Sequence, residues 1–185
     1  MGLHLYSGGD IVLVVVDMQN HILDPESNQF VSGAEELVPK IAQRVAKAHE
    51  KNEFVLFTQD IPVDYKDTEE ENEFEFQLID ALGMDTSDTR IKKYYFTIPP
   101  EKLIRIKEEF FADKKEEKKI QLAGVETNLC VLSNALGLQS VFPEADIYID
   151  PTLVAANTKQ QESLELLKHF NIEIKEDAAN AMEHE

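Results

Sequence analysis

The chain has 185 residues, 36 of them acidic and 18 basic, a formal charge of −18 and a single cysteine. That length suits one domain with a real hydrophobic core, and one thiol excludes an internal disulfide framework. The charge excludes the basic footprint that nucleic acid or an anionic membrane requires, so neither is expected as a partner.

Met1 to Asp10 shows no basic segment followed by an apolar stretch, so no secretory leader is read there and a cytoplasmic protein is expected. Ile11 to Val16 is an unbroken β-branched and leucine run ending at Asp17. It is too short for a membrane span and reads as a strand buried on both faces. Glu35 to Lys51 has helical spacing, with Leu37, Ile41, Val45 and Ala48 on one stripe. Pro39 belongs in a first turn, which places the helix start near Glu36. Phe54 to Thr58 is a second buried strand, closing at Asp60.

Residues 64–80 carry eight acidic residues and one lysine, with Phe74, Phe76, Leu78 and Ile79 threaded among them. This reads as a surface excursion, a candidate lid. Arg90 to Tyr95 is a short strand candidate, and Pro99-Pro100 opens a helix with Leu103, Ile106, Phe110 and Phe111 inward. The mixed charges from Glu108 to Lys119 read as a solvated face and turn.

Ile120 to Ala123 is a strand, and a helix is predicted from Thr127 to about Leu138. Ala145 to Ile149 is a strand ended by Asp150-Pro151. Thr158 to Phe170 is a helix with Ser163, Leu164, Leu166 and Leu167 inside. Ile172 to Ile174 is a last short strand, and residues 177–185 form an acidic tail read as frayed. Strand and helix alternate throughout. The pattern predicts one domain over 1–185, with its core in about 10–175. The fold class is a Rossmann-like three-layer α/β/α sandwich on a mostly parallel sheet of about six strands.

In such a sheet, sites gather at the carboxyl ends of the strands. Asp17, the pair Lys92 and Lys93, and Cys130 all fall there. Cys130 fits a small buried hydrophobe. It also fits a nucleophile near the start of a helix capped by Thr127, where the helix dipole and a lysine would lower the thiol pKa and a carboxylate could take its proton. Asp17 fits a strand-end cap or a proton acceptor in a dry cleft. Strand alternation sets Lys93 on the face of Ile91 and Lys92 on that of Arg90, which makes Lys93 the inward candidate.

Three segments resemble the isochorismatase-like hydrolase family. Val14-Val15-Val16-Asp17-Met18-Gln19-Asn20 resembles its opening motif. Lys93-Tyr94-Tyr95-Phe96-Thr97 resembles its lysine motif, with Lys92 left as an alternative, and Ala123-Gly124-Val125-Glu126-Thr127-Asn128-Leu129-Cys130-Val131 resembles its nucleophile motif. The resemblance implies an Asp17–Lys93–Cys130 triad and attack by the thiolate on an amide-like carbon through a thioester. It also implies a non-proline cis bond at Val125–Glu126 and an oxyanion hole from the N–H groups of Glu126 and Cys130. A homo-oligomer is implied too, with Phe142 and Pro143 candidates for its interface. The substrate is expected to be a small molecule.

Two departures qualify it. Family nicotinamidases hold a metal through Asp-x-His after the second strand and a further histidine, whereas here the segment is Asp60-Ile61-Pro62 and no histidine lies between His49 and His169. No metal or other cofactor is therefore expected, and Asp60 reads as a turn residue. An acidic residue and a phenylalanine usually follow the opening motif, whereas this chain has His21-Ile22. His21 reads as a solvated loop histidine or a residue of the pocket mouth. Pocket candidates are His21, Leu23, Phe74, Phe76, Tyr95 and Phe96. Hydrolysis of a small neutral amide is the leading expectation. The alternatives are an enol-ether hydrolase releasing pyruvate and a non-catalytic binding module.

Overall fold

The computed structural model describes residues 11–110 and 118–175. Its strands are β1 (Ile11–Val16), β2 (Phe54–Asp60), β3 (Thr89–Lys93), β4 (Lys119–Val125), β5 (Asp146–Ala155) and β6 (Glu173–Ile174). Its helices are α1 (Ala34–Glu50), α2 (Pro100–Phe110), α3 (Leu132–Val141) and α4 (Gln160–Lys168). The strands pair in the order β3-β2-β1-β4-β5-β6, every ladder parallel. The chain builds outward from β1 through β2 to β3, then returns to lay β4 on the other side of β1. That reversal opens a crevice between β1 and β4, at the carboxyl ends of the strands.

The apolar run of β1 divides by alternation. Val12, Val14 and Val16 join one core with Leu103 and Ile106 of α2, Ala135 and Leu138 of α3, and Leu164 and Leu167 of α4. Leu13 and Val15 join the other with Leu37, Ile41 and Val45 of α1. A strand with a helix layer on each face has no polar side to show, which is why its sequence lacks alternation. The three-layer sandwich is thus laid on a sheet that is parallel throughout.

Several boundaries differ from the sequence expectation. α1 starts at Ala34, two residues before Glu36, and keeps Pro39 inside it. β5 does not end at Asp150-Pro151 but runs on to Ala155. Its register against β4 jumps from Leu122↔Ile149 to Gly124↔Val154, so Pro151 sits in an irregularity where its missing N–H costs no ladder bond. Leu166, read as interior, is exposed, whereas Ser163, Leu164 and Leu167 are buried. Phe142 packs into the core. The readings of the Phe110 and Phe111 side chains and of the 177–185 tail lie outside the described residues. Among the described residues, no helix is long and apolar enough to cross a membrane.

The 64–80 excursion is a chain of short 3-10 turns. It is more deeply anchored than a surface loop. Phe76, Leu78 and Ile79 are buried, and Leu78, Ile79 and Leu82 belong to the core on the α1 side. Glu71 fastens the acidic part to the β3 end, taking Lys92 Nζ at 2.8 Å and the Tyr94 hydroxyl at 2.7 Å. These donors hold the Glu71 carboxyl down at about 2.

Candidate active site

Asp17 is the first residue beyond β1. It takes a left-handed backbone (φ 51°), which an aspartate tolerates better than most residues. Its N–H donates to Thr58 Oγ1 at 3.1 Å, and the Thr58 hydroxyl donates back to Asp17 Oδ1 at 2.6 Å. Thr58, on the neighbouring strand, therefore fixes the carboxylate on both sides. The other oxygen, Oδ2, lies 2.8 Å from Lys93 Nζ, an ion pair that leaves it without an aligned hydrogen bond.

Lys93 closes β3 and is 0% exposed. Its ammonium also donates to the Tyr95 carbonyl at 3.0 Å, reaches Cys130 Sγ at 3.5 Å and stands 3.4 Å from Asp60 Oδ1. Burial opposes its charge, but Asp17, Cys130 and Asp60 outweigh burial and raise its pKa above that of a free lysine. Lys92 points the other way, to Glu71. Alternation along β3 thus chose the residue that meets Asp17 and Cys130.

Cys130 lies in one turn of π-helix, Thr127–Val131, which runs directly into α3. The peptide bond Val125–Glu126 before it is cis. The Glu126 carbonyl accepts from both Leu129 N and Val131 N at 3.1 Å. Thr127 does not cap the helix: among the described residues its buried hydroxyl has no hydrogen-bond partner. The thiol also departs from expectation. Burial pushes its pKa up and Asp17 adds to the rise, while Lys93 pulls down without reversing it. Cys130 is therefore held as a neutral thiol beside a carboxylate.

Two residues that the sequence reading missed or undervalued complete the cluster. Asp60 is no mere turn residue, because its carboxylate faces Lys93. Burial pushes its pKa up to about 6, with Lys93 opposing and Asp17 adding to the shift. Asn134, one helical turn beyond Cys130, donates to the Cys130 carbonyl at 2.7 Å and the Phe96 carbonyl at 3.0 Å, and accepts from Ile98 N at 2.9 Å. It ties the thiol-bearing turn to the loop after β3. An asparagine in an otherwise largely apolar helix, four residues after the cysteine, was its only signal. Gln19 binds both the N–H and the carbonyl of Asp60 and the Phe76 carbonyl.

The cluster opens into a cavity of about 210 Å³, lined by Asp17, His21, Asp60, Phe96, Glu126 and Cys130 among others. An outer cavity of about 440 Å³ shares His21 with it and adds Phe74 and Phe76. His21 is buried, not solvated. Its Nδ1 is 2.9 Å from the Glu75 carbonyl, and burial pushes its pKa down. Leu23 instead packs against the core, and Tyr95 is 71% exposed; neither lines these two cavities.

A parallel sheet of this order, with a carboxylate, a buried lysine and a thiol at its switch point, defines an α/β protein with a polar cluster beside a small cleft. The isochorismatase domain model matches residues 12–172, and the chain belongs to that family of hydrolases. Its fold is similar to the pyrazinamidase of Pyrococcus horikoshii in complex with zinc (TM-score 0.74, 19% identity, 91% of this chain and 100% of that one). It is also similar to the nicotinamidase of Staphylococcus aureus (0.68, 16%, 90% and 99%) and a cysteine hydrolase of Pseudomonas syringae (0.68, 17%, 92% and 90%). A search of curated proteins found no match.

The zinc of that pyrazinamidase does not suit this cluster. Donor atoms of Asp17, Asp60 and Cys130 do lie within 4.8 Å of one another. The Lys93 ammonium, however, stands within 3.5 Å of all three residues and already supplies their cation. Isoleucine and proline follow Asp60 where a histidine ligand would be needed.

Proposed function

We propose that the chain is a cysteine hydrolase that cleaves the C–N bond of a small amide, using Asp17, Lys93 and Cys130. The observation that carries this reading is the convergence of the three at one cavity, Lys93 Nζ lying 2.8 Å from Asp17 Oδ2 and 3.5 Å from Cys130 Sγ. Because Cys130 rests as a thiol, its proton passes to Asp17 as Sγ bonds to the carbonyl carbon. The carbonyl electron pair moves onto oxygen, which the N–H groups of Glu126 and Cys130 stabilise. The pair then returns, the C–N bond breaks, and the Asp17 proton leaves on the amine, giving a thioester. Water enters, gives a proton to Asp17 and attacks the same carbon. The C–S bond breaks, the acid departs and the proton returns to sulfur. Lys93 orients the carboxylate throughout and lowers the cost of charge on sulfur.

Ammonia release from a panel of small amides tests this. Wild-type protein should turn over at least one, and trapping should show an acyl adduct on Cys130 by mass spectrometry. Cys130→Ala should lower the rate by at least about 10³-fold. Unchanged turnover in that variant would overturn the reading. Release of pyruvate from an enol-ether substrate, without any amide turnover, would replace it with the alternative hydrolase.

A further inference from the structure

The lining of the two cavities is one-sided. Asp17, Asp60 and Glu126 line the inner space and Asp24, Glu26 and Glu75 the outer, whereas among the described residues no lysine or arginine lines either. Lys93 lies fully buried behind the wall. Asp60 keeps 30% of its side chain exposed, so one side remains open to a ligand while the other pairs with Lys93.

His21 adds an independent constraint. The Glu75 carbonyl facing Nδ1 can only accept, so Nδ1 carries the ring hydrogen. Burial favours the neutral ring. Nε2 is therefore left with a lone pair, on a residue that borders both cavities. Asp17 Oδ2 is buried against Lys93 Nζ at 2.8 Å and is not among the open acceptors of the wall. The wall thus offers acceptors and negative charge. An anionic ligand would meet repulsion there, and a neutral alkyl amide would leave the open side of Asp60 to water.

We propose that His21 and Asp60 select a small amide that carries a protonated amine or amidinium group beside the scissile bond. This rests on the amide-hydrolase reading and narrows its substrate class. The inner cavity, about 210 Å³, bounds the ligand to a small molecule. Asp60 takes the cation, and His21 Nε2 accepts one of its N–H groups.

The test uses three amides of similar size: 3-aminopropanamide (cationic), butanamide (neutral) and malonamate (anionic). Ammonia release is measured with the full chain, and binding is measured separately on Cys130→Ala by ligand-observed NMR. The cationic amide should exceed butanamide in kcat/KM by about tenfold, as expected for one partly desolvated charge contact, and malonamate should rank last. Asp60→Asn and His21→Phe should each shrink the cationic-to-neutral ratio severalfold, with folding checked by circular dichroism. Equal or better turnover of butanamide or malonamate would overturn the proposal while leaving the amidase reading intact. Charge-ranked binding without turnover of any amide would support the proposal and remove that reading. Absence of binding by all three would overturn the proposal.

Discussion

Asp60 shows how burying a carboxyl at the strand ends makes stability depend on pH. Its carboxyl has an ordinary value of 3.8 and is pushed up to about 6 in the fold. Between those values the folded protein holds a proton that the unfolded chain has released. Stability from this group is therefore complete below about pH 4 and lost as pH rises through 6. Asp60→Asn removes the titration. Its stability relative to wild type should rise by about 1–2 kcal/mol between pH 4 and pH 7, less than the full shift because one side is open to water. Urea titrations at the two pH values measure this, and a pH-independent difference would refute it. The sequence announced Asp17, Lys93 and Cys130 through position and motif, and strand alternation with the motif favoured Lys93 over Lys92. It could not announce Asp60, Thr58 or Asn134, since their roles come from strands and a loop meeting at one place. Nor could it give the thiol's state. A helix start and a lysine suggested a lowered pKa, but burial and Asp17 outweigh them.

Elements were legible where burial imposes a period, and less so where a local irregularity intervenes. The stripe of Leu37, Ile41, Val45 and Ala48 lies inward as its spacing predicts. Pro151 misled because a bulge lets β5 run through it, and Phe76 and Leu78 were masked by the acidic residues around them. The switch point adds a constraint of its own at Gly124. This glycine has φ +112°, and a Cβ there would stand 2.1 Å from the Val16 carbonyl oxygen. β4 and β1 approach each other on backbone alone, immediately before the cis bond and the cysteine turn. Gly124→Ala adds both a disfavoured backbone conformation and a collision with backbone that cannot swing aside. The expected loss is about 3 kcal/mol or more, with a severalfold fall in turnover as the Cys130 turn shifts. Thermal unfolding and kcat together check this. A variant within 1 kcal/mol of wild type would show that the two strands can separate without penalty.

At the scale of the molecule, the charge of −18 and the acidic cavity walls have the same sign but act over different ranges. The long-range field gathers cations at the surface and is screened by salt, because the Debye length falls from about 30 Å at 0.01 M to below 5 Å at 0.5 M. A contact between Asp60 and a ligand in the cavity is screened much less. The two contributions therefore separate under salt. If a cationic amide is the substrate, its KM should rise severalfold over that range, and the KM of butanamide should stay flat. Asp60→Asn removes one negative charge of the net 18, so the salt slope for the cationic amide should hardly change even as its preference over butanamide falls. A variant that loses slope and preference together would place the discrimination in the field near Asp60 rather than in a contact. A wild-type KM for the cation that ignores salt would show that the acidic surface plays no part in gathering substrate.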